Sequence, residues 1–348
     1  MQISKCSKKL QCLLSFLFIF SRSFALTQTF VITHAAGRMG KLLASQIREG
    51  ALLYGDNHDS PTPVKIRAVV RSDEEAKSVL CDLAGMVTRD GITSHRETDW
   101  LETVVIGDIS LEENVNRLEK VFDGATGAVL CDASHNELVQ SEEDGKWSLR
   151  VPGIESKEHS NRLSAEIDAA TKSKSLEHVI LRSSMGLFLN KRGLDFEWSP
   201  SQKEVIIEAV KAMGGDEALL GPRRAEEALE SSGLDFSILR LGALTDDAGM
   251  IPLAFGTDDS LLVQWIEGQK TRRPPVLSRA DAARIASFML RERKLFMKKR
   301  LVIDCAWLPK WGSSSVGTEE ALIAASKQDL MGDINSACSR KTTSLINR

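Results

Sequence analysis

Thr29-Phe-Val-Ile-Thr33-His-Ala-Ala-Gly37-Arg-Met-Gly40 is the stretch that decides the fold. Its first five residues are β-branched or aromatic, the composition of a buried strand. A helical pattern begins at Arg38 and runs to Glu49. Glycines at 37 and 40 sit in the turn between them. There they let the backbone bend sharply, approach a phosphate closely and pack the helix against the strand, so that helix N-terminal amides face the anion. A Gly-x-x-Gly alone says little; between a first strand and a first helix it predicts a phosphate-binding loop.

Outward from this loop the chain alternates β-like and α-like segments, the pattern of a parallel α/β sheet. Strands are expected at 64–70, 103–106, 127–131, 178–181, 236–239 and 301–304, after the first at 29–33. Helices are expected at 73–81, 111–121, 158–172, 202–213, 222–231 and 278–290, the last N-capped by Ser278. Residues 50–63 read as a linker and 136–157 as a surface loop. The expected fold is α/β: a Rossmann-type doubly wound parallel sheet over residues 26–310, with a small helical lid from C-terminal segments at about 186–222 and 243–276. A Ser-rich tail follows at 311–348.

Composition narrows the function classes. The 348 residues are 42% hydrophobic and 27% charged, ordinary values for a globular protein and against a multi-span membrane protein. The first 25 residues carry Lys5, Lys8, Lys9 and Arg22, an apolar run Cys12–Phe20, and small residues at Ser23 and Ala25. Basic start, short apolar core and small residues are the parts of a secretory signal, and the run falls short of the ~20 residues that span a bilayer. The chain is therefore expected to enter the secretory pathway, to lose this segment near Ala25 and to keep no stable membrane span. Ser23-Phe-Ala-Leu26 faintly resembles the address of an alga whose plastid is reached through the ER, the alternative destination. Removing those four basic residues takes the net charge from −3 to −7, which argues against nucleic acid as a partner. The six Cys form no C-x-x-C pair and no metal-ligand spacing with His, so neither a metal site nor a disulfide framework is expected.

Read as Thr-x-Ala-x-Gly-x-x-Gly, residues 33–40 resemble the cofactor loop of the short-chain dehydrogenase/reductase superfamily. Arg223 to Leu244 is similar to the helix, sixth strand and Arg-Pro-Gly-x-Leu turn of its atypical, NmrA-like branch, and Ser278–Ile285 resembles the helix that follows. The resemblance implies dinucleotide contacts from Thr33, Gly37, Arg38, Met39 and Gly40, from Arg71 and Ser72, from Asp108 and Ile109, from Ala133 and Ser134, and from Gly242. Three departures stand out: His34 replaces the first Gly, Leu241 replaces the Pro of the turn, and the family's Tyr-x-x-x-Lys falls at Ala218…Pro222 or Leu219…Arg223. The chain's one tyrosine, Tyr54, lies in the linker and cannot take the role. Gly37-Arg-Met-Gly40 is also similar to the loop of dihydrodipicolinate reductase, but no two of the six His are adjacent, as that family needs.

Three functions follow, the third being a structural scaffold that no longer binds dinucleotide, which His34 favours. The first is an NADP(H)-binding oxidoreductase lacking the Tyr-x-x-x-Lys relay, with Ser184 as the catalytic candidate and His135, Lys191 and Lys203 as further proton donors. The second is a non-catalytic dinucleotide-binding module or redox sensor that docks a protein partner. NADP(H) is expected over NAD(H) because the second strand ends Val69-Val70-Arg71-Ser72 with no acid, whereas NAD sites place one there. The partner beyond the dinucleotide, an unknown small molecule or a protein, is left open by the residues.

Overall fold

The computed structural model describes residues 27–53, 63–84, 87–89, 92–94, 99–131, 137–140, 147–150, 156–187, 200, 203–204, 207, 215–249, 253–263, 275–297 and 300–307. The expected signal segment, residues 54–62 of the expected linker and the tail lie outside them, while residues 50–53 of that linker continue the first helix.

The first half runs β1 (Gln28–Ile32), α1 (Arg38–Leu53), β2 (Val64–Val70), α2 (Asp73–Ala84), β3 (Val87–Arg89), β4 (Ile92–Ser94), β5 (Leu101–Val105), α3 (Glu112–Phe122) and β6 (Gly127–Leu130). Then come β7 (Glu137–Gln140), β8 (Trp147–Arg150), α4 (Ser156–Lys172), β9 (His178–Ser184), α5 (Gly215–Ser231), β10 (Phe236–Leu241) and β11 (Ala243–Thr245). The chain closes with β12 (Leu253–Gly256), β13 (Val276–Ser278), α6 (Arg279–Arg291) and β14 (Leu301–Trp307).

Eight strands form the main sheet in the order β12-β14-β10-β9-β6-β1-β2-β5. Every neighbouring pair is parallel except β12 with β14. Chain order reverses at β1, so the crevice of this doubly wound sheet opens beyond the carboxyl ends of β1 and β6. Because side chains alternate faces along a strand, each strand feeds two cores. Phe30, Ile32, Val129, Ile180 and Leu239 pack on one face with α1 and α6 residues such as Leu43, Ile47 and Ala286. Val31, Ala128, Leu130, Leu181 and Ile238 pack on the other with Leu118, Leu163, Ile167 and Leu229 of α3, α4 and α5. β6 and the carboxyl-terminal halves of β1 and β2 are wholly apolar because both faces are covered there.

The structure departs from the expected layout in three places. A second sheet, β13-β11-β7-β8, takes in 137–140 and 147–150 of what was expected to be the loop 136–157, and it takes Ala243–Thr245 and Val276 from the stretch expected in the helical lid. These three- and four-residue strands form by distant pairings such as Leu244 with Glu137, which no local pattern discloses. Most of 188–214 lies outside the described residues. A single helix, α5, runs from Gly215 through Pro222 to Ser231, in place of one starting at 222. Ser278 caps α6 as expected: its hydroxyl accepts the Asp281 amide at 3.0 Å. The Asp281 carboxylate in turn accepts from Trp307 Nε1 at 2.9 Å, which ties the cap to β14.

Beneath the sheet, His178 is fully buried and its Nε2 shares a hydrogen bond with Ser237 Oγ at 3.0 Å. Burial, helped by the Arg293 guanidinium, pushes its pKa down to about 4. The unfolded chain then binds more protons than the folded one between roughly pH 6.5 and 4, so stability should be lost as pH falls through that window, by about 3 kcal/mol at its end. Urea midpoints measured across this range for the wild type and His178→Gln check it. The variant should lack this part of the acid sensitivity, and identical pH profiles would refute the assignment.

Candidate functional site

The glycine loop is built as its spacing requires, with one substitution accommodated by strain. His34, in the place of the first Gly, takes the left-handed conformation at φ 49°. That region is open to glycine and tolerated by His at a cost. The turn it makes is closed by the Gly37 amide donating to His34 O at 3.0 Å. A Cβ on Gly40 would lie 2.7 Å from both Ala35 Cα and His34 O, so only glycine lets α1 pass this close. Gly37 is less confined; its Cβ would lie 3.2 Å from His34 O. The loop is anchored to both neighbours of β1, through Thr33 N to Val129 O and Ala35 N to Val69 O, each 3.1 Å.

Over this loop lies a cavity of about 450 Å³. Gly37, Arg38, Met39 and Gly40 line it from the loop, and Arg71 with Glu75 from the end of β2 and the start of α2. Cys131, Arg182, Leu244 and Arg279 close its far side. Four of the lining residues are thus arginines, contributed by α1, the β2 end, β9 and α6. Such a concave site, with backbone amides at a helix N-terminus and converging guanidinium groups, suits a polyanionic ligand.

Arg71 lies at the site but not alone. Its amide donates to Glu75 Oε2 at 2.7 Å, its Nε to Oε1 at 3.0 Å, and its NH2 pairs with the same carboxylate at 2.9 Å. Partial burial raises the Glu75 pKa, but the Arg71 amide and guanidinium outweigh it, and the carboxyl titrates below its ordinary range. The absence of an acid from the strand end in sequence is therefore made good in space by folding back over one helical turn.

The other expected contacts divide. Ser72 caps α2, its Oγ accepting the Glu75 amide at 3.3 Å. Thr33 is fully buried and its hydroxyl accepts the Cys131 amide at 3.0 Å, so its side chain clips β1 to β6. Asp108 stands exposed, one oxygen accepting the Ser110 amide at 2.8 Å, a bond that lowers its pKa. Ile109 packs against the core under α3. Gly242 is where β10 crosses to the second sheet; a Cβ there would lie 2.3 Å from Pro275 O, so its smallness serves chain crossing. None of these five lines the cavity. Ala133, Ser134, His135 and Lys191 lie outside the described residues, and Lys203 is exposed. The Ser184 hydroxyl is buried and donates to Met185 O at 3.2 Å.

Sequence reasoning missed Arg182, Arg279, Glu75 and Cys131. Arg182 carried a signal, a charge inside the otherwise uncharged strand that precedes Ser184. It is buried and its NH1 lies 3.6 Å from Met39 Sδ. Behind the site, on the α5 face, Ser183, Arg240 and Asp304 stand side by side across β9, β10 and β14. Glu226 of α5 accepts from Arg240 Nε at 3.0 Å, Arg240 NH2 at 2.7 Å and Ser183 Oγ at 2.5 Å. Asp259, also buried, accepts the Gly186 amide at 2.7 Å and so holds the turn after Ser184. Burial and the neighbouring Asp259 push the Asp304 carboxyl well above its usual range, against the pull of Arg240. Among the described residues no group of three or more His, Cys, Asp or Glu is arranged to hold a metal, and no helix is long and apolar enough to cross a membrane.

A phosphate loop at the switch point of a parallel, doubly wound sheet defines a dinucleotide-binding protein of Rossmann type. The comparisons agree: a family profile for NAD(P)H-binding proteins matches residues 62–291, and the chain belongs to that family. This agrees with the resemblance carried by residues 33–40 and 223–244. An uncharacterized chloroplastic protein of Arabidopsis thaliana is 25% identical over 260 residues, 74% of this chain. The matched region spans 63% of that relative's length. Among solved structures, a Bacillus halodurans protein assigned to the NAD-dependent epimerases/dehydratases superposes with a TM-score of 0.50. It is 11% identical, with 85% of this chain and 99% of that one covered. An anaerobillin reductase from Escherichia coli O157:H7 gives 0.48 at 16% identity, over 82% and 99% of the two chains.

Proposed function

We propose that the protein binds NADP(H) in the 450 Å³ cavity and is an oxidoreductase of the atypical short-chain dehydrogenase/reductase kind that works without a Tyr-x-x-x-Lys relay. The observation that carries the cofactor choice is Arg71 at the end of β2, lining the cavity beside the glycine cradle. The residues fit the cofactor: Gly40 lets α1 pack close under the His34 turn, the loop amides would take the pyrophosphate, and Arg71 would take the ribose 2′-phosphate. Bound there, the cofactor would supply hydride transfer at its nicotinamide C4. To hold a 2′-phosphate, Arg71 exchanges or shares Glu75, its partner in the first turn of α2. A guanidinium–phosphate contact is worth roughly 1.5–3 kcal/mol, and Arg71 is half exposed. Arg71→Ala should therefore cut NADPH affinity about tenfold and leave NADH nearly unchanged, as read by titration calorimetry. Equal losses for both cofactors, or a wild type that prefers NADH, would overturn the choice.

The second reading, a binding module that carries no turnover, is favoured by two observations. The Ser184 hydroxyl is committed to Met185 O, and the helix positions of the missing pair include the buried Leu219 and Pro222. NADPH oxidation with quinones, flavins or aldehydes separates the two: turnover supports the oxidoreductase, tight binding without turnover the module.

A further inference from the structure

Arg38 and Arg279 are the first residues of α1 and α6, and both line the cavity. Their guanidinium groups converge on one carboxylate, that of Asp246, one residue beyond β11. Asp246 Oδ2 pairs with Arg38 NH1 and Oδ1 with Arg279 NH1, the latter at 2.6 Å. The Arg279 side chain is only 7% exposed, while Asp246 and Arg38 are 56% and 67% exposed. Asp246 does not itself line the cavity. The arrangement is that of an oxyanion bridging two guanidinium groups, one oxygen to each, and a phosphate presents the same pair of oxygens.

We propose that Arg38 and Arg279 form an anion subsite for a phosphate of the dinucleotide, and that Asp246 holds it closed as an intramolecular competitor. This rests on the reading that the cavity takes a dinucleotide. A ligand phosphate entering the cavity draws the two guanidinium groups inward, and the Asp246 carboxylate turns to water, where its exposure lets it be solvated. Binding is thereby weakened by the strength of the pairs it breaks. The exposed Arg38 pair contributes little to that cost and the shielded Arg279 pair contributes more.

The test is titration of the full chain with NADPH and with NADH, comparing wild type with Asp246→Asn. Glu102→Gln, which removes one charge from the Lys65 and Arg67 pairs on the sheet edge, controls for net charge. Asp246→Asn should tighten binding about fivefold at low salt, a gain of about 1 kcal/mol that shrinks as salt screens it. A second substitution, Arg279→Leu, should abolish the gain. Equal tightening for both ligands assigns the pyrophosphate to the subsite, and tightening for NADPH alone assigns the 2′-phosphate. Unchanged or weakened binding in Asp246→Asn, or the same gain in Glu102→Gln, overturns the proposal while leaving the cofactor reading intact. If the wild type binds neither ligand but Asp246→Asn does, the competitor role stands. If neither protein binds, both readings fall.

Discussion

Glu226→Ala is expected to lower the thermal midpoint by roughly 6–12 °C, the counterpart of about 3 kcal/mol in a domain of this size. The carboxylate is buried and accepts from two nitrogens of Arg240 and from the hydroxyl of Ser183. Its removal leaves a guanidinium that is itself only 10% exposed, and breaking one side of a buried pair costs about 3–5 kcal/mol because the remaining charge is uncompensated. Asp259 and Asp304 still face Arg240, which sets the expectation at the lower end. Glu226→Gln keeps an acceptor for Arg240 and should lose less. A calorimetric scan in which Glu226→Ala melts within 2 °C of the wild type would show, at about 3 °C per kcal/mol, that the network is energetically idle.

The second large effect is at Gly40. Three backbone atoms, Ala35 Cα, His34 O and Ala35 O, lie within 2.9 Å of where its Cβ would sit. Backbone cannot swing aside as a side chain can, so Gly40→Ala must displace the His34 turn, which is already held at positive φ. The loop amides then no longer converge on the pyrophosphate. NADPH affinity should fall about a hundredfold, or 2.7 kcal/mol, in a protein that still folds. Gly37→Ala is the internal comparison: its one tight contact is a single oxygen at 3.2 Å, and its loss should be several times smaller. Similar losses at the two glycines would mean that the close approach at Gly40 is not what shapes the loop.

Much of the main sheet was legible because it is locally encoded. A strand covered on both faces is rich in apolar and β-branched residues, and Thr29–Thr33 and Gly127–Cys131 announce themselves without knowledge of their partners. The glycine loop was legible for a similar reason, since Gly37 and Gly40 answer to geometry within a few residues. What escaped depends on distant pairing. β11 is three residues long and exists because Ala243–Thr245 meets Val276–Ser278 across a crossing that Gly242 alone permits. At the site, Arg71 and Ser72 were read as phosphate donors from their place in the chain. In the structure Ser72 caps α2, and Arg71 shares its contact with Glu75, an acid beyond the strand end. One turn of helix brings four residues of separation back to contact distance, which a linear reading discounts. The family resemblance also assigned Thr33 and Gly242 to the ligand. Both are committed to holding strands together, a demand invisible until the neighbours are placed.

The place of β14 imposes an order on assembly. β14, at residues 301–307, pairs with β10 on one side and is the partner of the edge strand β12 on the other, although β12 precedes it by some fifty residues. Trp307, its last residue, also completes the cap of α6 through Asp281. Until residue 307 has been delivered, β12 has no strand to join, the edge of β10 stays open, and the helix that carries Arg279 lacks part of its anchor. A chain emerging N-terminus first can settle β1, β2, β5 and β6 early, yet the helix that carries Arg279 is fully anchored only once β14 has followed. Cleavage or premature termination just before β14 would therefore cost more than the strand itself. It would leave that helix without part of its anchor and an unpaired strand edge exposed to other chains.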